Sequence, residues 1–247
     1  MKYILAIDDT DQKNWPGTGH LLEKIRKSIL ENQWGAADDI TRHQLFVHPS
    51  IPYTSHNSAM CFTGEVIEKK TINNIIDIAI YYLEKESAPE SDPGLCVVLL
   101  DELTFTERLV DFGFSAKVKK ISKQDALNLA EQLSIYLSEH GGTGDGIIGA
   151  LAGAGLRLSG NDGRFRGSHF FLEQPTMFKV NILYGNYKID KVCTEKGKVL
   201  SGEDYVFLAG KIKTVFKNNK SVLLVKEIQW KEKPIWVNLT HNEVKQY

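Results

Sequence analysis

The densest chemistry in this sequence is the run Asp8-Asp9-Thr10-Asp11, which directly follows the apolar segment Lys2-Tyr-Ile-Leu-Ala-Ile7. Carboxylates clustered just past a rigid strand end are held close enough to share a divalent cation. Mg²⁺ takes hard oxygen ligands and usually binds through one or two carboxylates plus substrate phosphates. Asp8, Asp9 and Asp11 are therefore candidate Mg²⁺ ligands. The alternative is that one of them caps a turn and the others are solvated, because Asp is a common turn residue. A few residues on, Trp15-Pro-Gly-Thr18-Gly-His20-Leu21 opens an amphipathic pattern, and helix N-termini favour anions. Metal ligands and an anion site this close together point to phosphate chemistry.

A second stretch has the same flavour. Gly141-Gly142-Thr143-Gly144-Asp145-Gly146-Ile-Ile-Gly149 flows into a run of small and apolar residues ending at Arg157. The backbone N–H groups of Gly142, Thr143, Gly144, Asp145 and Gly146 would cradle phosphate at a helix N-terminus. The loop is not a Walker A motif, since no Gly-Lys-Ser/Thr follows, and no strand is expected before it, as a Rossmann fingerprint requires. A tight helix–helix joint is the alternative. Downstream, Ser159–Gly167 carries Arg164 and Arg166, whose planar forks suit phosphate or carboxylate unless the loop is simply solvated. Thr18 could donate to a phosphate or accept a phosphoryl group. His20, His48 and His56 are candidates for acid–base work, because imidazole titrates near working pH.

The elements that must position these residues follow from periodicity. Lys2–Ile7 reads as a buried strand, Thr18–Asn32 as a helix with Leu21, Leu22, Ile25 and Ile29 on one face, and Ile40–His48 and Ser58–Ile67 as strands. Ile72–Leu83 is helical and Leu95–Leu100 a short apolar strand. The order β-α-β-β-α-β is that of a ferredoxin-like core. Thr104–Phe112 forms a short helix. Ser122, with Asp125 three residues on, starts another, which should run through Leu137 and stop at His140-Gly141. From Phe178 the pattern turns to strands: Phe178–Leu183, Lys188–Val192, Tyr205–Phe216, Ser221–Ile228 and Ile235–Leu239, with Asn218-Asn219 as a hairpin signal. The fold class is α+β, with packed helices and a C-terminal antiparallel β unit. The expected division is a nucleotide-binding core over 1–172 and a β-rich unit over 173–247.

Bulk properties narrow the partners. The 247 residues carry a net charge of −1, so no global field draws the chain to nucleic acid or anionic lipid. No apolar run reaches membrane-spanning length, and no secretory signal opens the sequence, so a cytoplasmic protein is expected. Cys61, Cys96 and Cys193 are far apart and form no CxxC pair. They read as buried thiols rather than a zinc or disulfide framework. An exposed edge of the ferredoxin-like sheet would allow a homodimer.

Three segments resemble one family. Ile7-Asp8-Asp9-Thr10-Asp11, His48-Pro-Ser-Ile51-Pro52-Tyr53-Thr54-Ser-His-Asn57 and Gly144-Asp-Gly146-Ile-Ile-Gly149-Ala-Leu-Ala152 are similar, in order and spacing, to motifs of the archaeal isoleucine-tRNA agmatidine synthetases. The resemblance implies a kinase-like domain joined to a ferredoxin-like domain, with Mg²⁺ and ATP as cofactors. In that family a carbonyl of the anticodon cytidine is phosphorylated, and an amine then displaces the phosphate. Thr18 falls where the family has a phosphate-handling threonine, within different neighbours. No counterpart of the family's OB-fold or cysteine-bearing zinc ribbon is expected from this sequence. The expectation is therefore ATP-dependent phosphotransfer to, or amide or amidine formation on, a small-molecule substrate, with tRNA disfavoured. The alternatives are tRNA cytidine modification and a nucleotide-binding module without turnover.

Overall fold

Lys2–Ile7 sends alternate side chains to opposite sides, and both sides are apolar, as a strand covered on both faces requires. The computed structural model describes residues 1–51, 57–231 and 233–247, and it divides into two compact units, Met1–Ser159 and Gly160–Tyr247. It is a mixed α+β protein with mostly antiparallel strand pairing.

The first unit runs β1 (Lys2–Asp8), α1 (Thr18–Glu31), β2 (Ala36–Ala37), β3 (Thr41–Gln44), β4 (Ser58–Glu65), α2 (Thr71–Glu86), β5 (Gly94–Leu99), α3 (Thr106–Ser115), α4 (Lys123–Gln132), β6 (Tyr136–Glu139) and α5 (Gly146–Leu158). Its strands lie in the order β6-β5-β1-β4-β3, each antiparallel to its neighbours, with the short β2 also on β4. Tyr3, Leu5 and Ile7 of the central strand meet Leu22, Ile25 and Ile29 of α1 and Ile75 and Leu83 of α2. Ile4 and Ala6 face the other way, toward Leu109 of α3, Leu129 of α4 and Ala150 and Ala154 of α5. Burying each such Leu or Ile contributes about 1.5–3 kcal/mol. Arg157, buried near the end of α5, ties that helix to the sheet: Nη1 donates to Thr41 Oγ1 and Nε to Thr63 Oγ1, each at 3.1 Å. Cys61, Cys96 and Cys193 are all buried free thiols.

The helix opened by Ser122 has the expected capping box but ends at Gln132, not beyond Leu137. Ser134 takes a left-handed conformation (φ 53°), and Tyr136–Glu139 leaves to pair with β5 as β6. Helical spacing of leucines could not reveal a pairing set by a distant strand. One consequence is that the glycine-rich loop does follow a strand.

The second unit runs β7 (Arg164–Phe165), β8 (Phe170–Lys179), α6 (Val180–Asn186), β9 (Lys191–Thr194), β10 (Tyr205–Ile212), β11 (Val215–Lys217), β12 (Lys220–Trp230), β13 (Lys233–Asn238) and α7 (His241–Val244). The order is β7-β11-β12-β13-β10-β8, with β9 also on β12. Two pairs, β10–β13 and β9–β12, are parallel. The strand expected over Phe178–Leu183 is the end of β8 followed by α6, where Val180 and Leu183 turn into the core. The run Tyr205–Phe216 is two strands, β10 and β11. Asn218 and Asn219, both at positive φ, make the hairpin between β11 and β12, as paired Asn can in a primed turn. Among the described residues, no helix is long and apolar enough to cross a membrane.

Candidate active site

Asp8 is the last residue of β1 and continues the Ile4–Ala6 side of the strand, so its carboxylate points toward α5. Gly149, in the first turn of that helix, makes room for it: a Cβ at Gly149 would lie 1.6 Å from Asp8 Oδ2. The N-terminal end of a helix carries partial positive charge. Even so, the Asp8 carboxyl is pushed up to about 8, by burial first and then by Asp9, with Asp11 adding to it and Arg42 opposing. Asp9 turns the chain out of the strand at φ 52°, a conformation Asp tolerates. Its carboxyl is pushed up to about 6 by burial and by Asp92, Asp11 and Asp145. Next along the chain, Thr10 Oγ1 is buried with no hydrogen-bond partner among the described residues.

Thr18, the first residue of α1, is buried and brings Oγ1 to 3.5 Å from Asp11 Oδ1. The intervening loop is pinned by Trp15, whose Nε1 donates to Glu86 O at 3.0 Å. His20 is on the exposed side of α1. The glycine-rich loop reaches the same end of the sheet. Asp92 accepts from both the N–H and, at 3.0 Å, the Oγ1 of Thr143. Gly142 sits at φ 54° against that same carboxylate, so a side chain there would be strained and would collide with it. Lys123 Nζ donates to Thr143 O at 2.8 Å and pairs with Glu139. The N–H of Thr143 is thus engaged by Asp92, and Asp145 contributes charge beside Asp9.

Two groups of this cluster are not apparent in the sequence. Arg42 lies on β3, opposite Met60, which is in turn opposite Ile7 of β1. Its Nε donates to Ser58 Oγ at 2.8 Å. Burial lowers the pKa of this guanidinium, and Asp11 and Asp8 oppose that shift. Asp92 reads as a turn residue until the register places Gly94 opposite Asp8. That pairing brings the turn before β5 to the end of β1.

Arg164 is buried on β7 and Arg166 is exposed beyond it, both in the second unit. His48 is exposed, stacked on Phe46. His56, with the segment 52–56, lies outside the described residues. No group of three or more His, Cys, Asp or Glu among the described residues is arranged to hold a metal ion. Mg²⁺ needs only one or two protein carboxylates when phosphates complete its shell. Mutually repelling carboxylates, one buried and two half-buried, and an orphaned hydroxyl suit such a cation, with Asp8 and Asp11 as the groups that would hold it.

No protein-family model and no curated protein matches this sequence. Solved structures do. A tRNA fluorescent labeling enzyme is similar at 25% identity and TM-score 0.54, over 63% of this chain and 36% of that one. A TiaS–tRNA–ATP complex is similar at 23% identity and TM-score 0.54, over 72% of this chain and 38% of that one. Apo TiaS, a tRNA agmatidine synthetase, is similar at 18% identity and TM-score 0.54, over 96% of this chain and 71% of that one. The chain therefore spans little more than a third of the length of the first two. These neighbours overturn the expectation of a small-molecule substrate with tRNA disfavoured, since TiaS is seen bound to tRNA and ATP together. That expectation rested on the OB-fold and zinc ribbon not found in the sequence and on a charge averaged over the chain. Met1–Ser159 carries 15 Lys and Arg against 22 Asp and Glu, a net −7, and Gly160–Tyr247 carries 15 against 9, a net +6. In fold, the chain resembles the core of the tRNA agmatidine synthetase TiaS.

Proposed function

We propose that this chain carries out ATP-dependent modification of a tRNA cytidine, with phosphate chemistry at the acidic end of β1. The observation that carries the reading is the convergence there of Asp8, Asp9 and Asp11 with Thr18 and Arg42. A buried surplus of carboxylates is costly unless a cation balances it, and nucleotide phosphates with Mg²⁺ supply both the cation and its remaining ligands. Within the first unit, β1-α1-β3-β4-α2-β5 in the order β5-β1-β4-β3 fits a ferredoxin-like split βαβ arrangement.

Asp8 and Asp11 would hold Mg²⁺, which when bound neutralises charge on transferring phosphate oxygens. The chain's own groups divide the remaining work. Asp11 accepts from the Thr18 hydroxyl and so aims its lone pairs away from the carboxylate. Arg42, held through Nε by Ser58, offers a fixed positive charge beside Asp11. Asp92 fastens the glycine-rich loop, setting the N-terminal turn of α5 against Asp8. Asp8 is buried and Asp9 and Asp11 are half-buried, which strengthens the charge interactions among them.

The test is incubation with an unmodified isoleucine tRNA transcript, ATP, Mg²⁺ and a primary amine such as agmatine, followed by mass analysis of the digested nucleosides. An ATP-dependent increase in mass of one cytidine supports the reading. Unchanged cytidine with every amine and transcript tried rejects it.

A further inference from the structure

The segment leaving β3 and the turn leaving α3 run side by side. Phe46 N–H donates to Ala116 O at 2.9 Å, and Lys120 Nζ donates to Ser50 O at 3.1 Å. Between these two ties the first segment presents Phe46 and His48 as a stacked pair, with ring centroids 5.4 Å apart and planes 16° apart. The His48 ring is held in place, with Nδ1 at 2.9 Å from Ser50 Oγ and accepting from Ser50 N–H at 3.2 Å. The second segment reads Lys117-Val118-Lys119-Lys120. Lys119, Lys120, Val47 and Val118 are exposed, the last by 70%.

Three cations in four residues stand out in a unit whose net charge is −7. Solvated lysine runs are common, but here the run is laced to an ordered aromatic platform and to exposed aliphatic side chains. Proteins that hold single-stranded nucleic acid combine these same two parts, cations that follow the phosphates and flat rings on which bases stack. An acidic protein segment would use the lysines and have no use for the stacked pair.

We propose that this face is a docking surface for single-stranded RNA, with Lys119 and Lys120 on phosphates and a base laid on the Phe46–His48 stack. The inference rests on the RNA reading above and adds where the acidic unit itself meets the RNA. Every base has a stacking face, so the surface holds a strand without reading its sequence.

The experiment is fluorescence anisotropy of the full chain with labelled oligouridine and with unmodified tRNA, over a range of salt. The variants are Lys119→Ala with Lys120→Ala, the charge-keeping Lys119→Arg with Lys120→Arg, and His48→Ala. The alanine pair should weaken binding about tenfold and make the slope of log K against log salt shallower by about 1.4, which is about 0.7 for each phosphate contact on a single strand. The arginine pair should restore both. His48→Ala should weaken oligouridine about tenfold and duplex RNA hardly at all. If the wild type binds RNA and the alanine pair binds it with the same affinity and slope, the docking surface is overturned while the RNA reading stands. An unchanged affinity in His48→Ala overturns the stacking role. Polyglutamate displacing the label as well as unlabelled oligouridine does would make the face a general acid-binding surface and overturn the RNA assignment. A wild type that binds no RNA at any salt overturns both readings.

Discussion

Met1–Ser159 and Gly160–Tyr247 differ in charge by sign, −7 against +6, and they differ equally in how they cover their sheets. In the first unit both faces of β1 are sealed by helices, and acids, one buried and two half-buried, cluster at one strand end. In the second, Phe171, Met177, Tyr205 and Trp230 are all more than half exposed. There the cations Lys213, Lys245, Arg164 and Lys211 surround His241, which burial and those charges hold below its usual range. Closed apolar layers around acids suit a site that gathers cations and phosphates away from water. On the proposed reading, exposed aromatic side chains in a unit of net charge +6 suit a long anion that is gripped rather than transformed. A whole-chain charge of −1 conceals that contrast completely.

The contrast is open to experiment at both ends. The largest expected effect is from Asp8→Asn, which removes one of the two carboxylates assigned to the cation while keeping the shape. ATP-dependent product formation should fall about a thousandfold, with an unchanged circular dichroism spectrum, and full activity would remove the acidic strand end from the chemistry. Gly149→Ala comes next. The added Cβ must displace the Asp8 carboxylate, and a displacement of that order costs about a hundredfold in rate. Wild-type rates in this variant would show that the contact between β1 and α5 does not set the site.

In the second unit, Lys211→Ala combined with Lys245→Ala should weaken RNA binding about tenfold and flatten its salt dependence, as read by anisotropy. Unchanged affinity would break the division into a chemical unit and a gripping unit. A separate effect is on stability. The Asp8 carboxyl is raised from 3.8 to about 8 on folding, so between those values the folded chain binds more protons than the unfolded one. The stability of the folded state therefore falls as pH rises through that window. In EDTA the melting temperature should drop between about pH 5 and pH 8, and Asp8→Asn should remove most of that drop. A flat wild-type profile would mean that Asp8 is not buried as described.

The elements whose evidence is local were legible in the sequence. β1 and its Asp run, the faces of α1 and α2, the Ser122 capping box and the Asn218-Asn219 hairpin all follow from spacing within a few residues. What depends on distant pairing was not. The leucines of α4 and β6 keep helical spacing, and only the partnership with β5 turns Tyr136–Glu139 into a strand. Arg42 and Asp92 look like an ordinary strand cation and a turn acid until the β3–β4–β1 and β5–β1 registers bring them to Asp8. The basic character of the second unit was visible in the composition all along but was lost by summing over the chain.

The measurement that tests the central claim most directly is calorimetric titration of ATP into the wild type and Asp8→Asn, first with Mg²⁺ and then with EDTA. Binding that requires Mg²⁺ in the wild type and disappears in Asp8→Asn is the predicted result. Binding that survives EDTA, or that Asp8→Asn retains in full, would contradict a metal–nucleotide site at the end of β1.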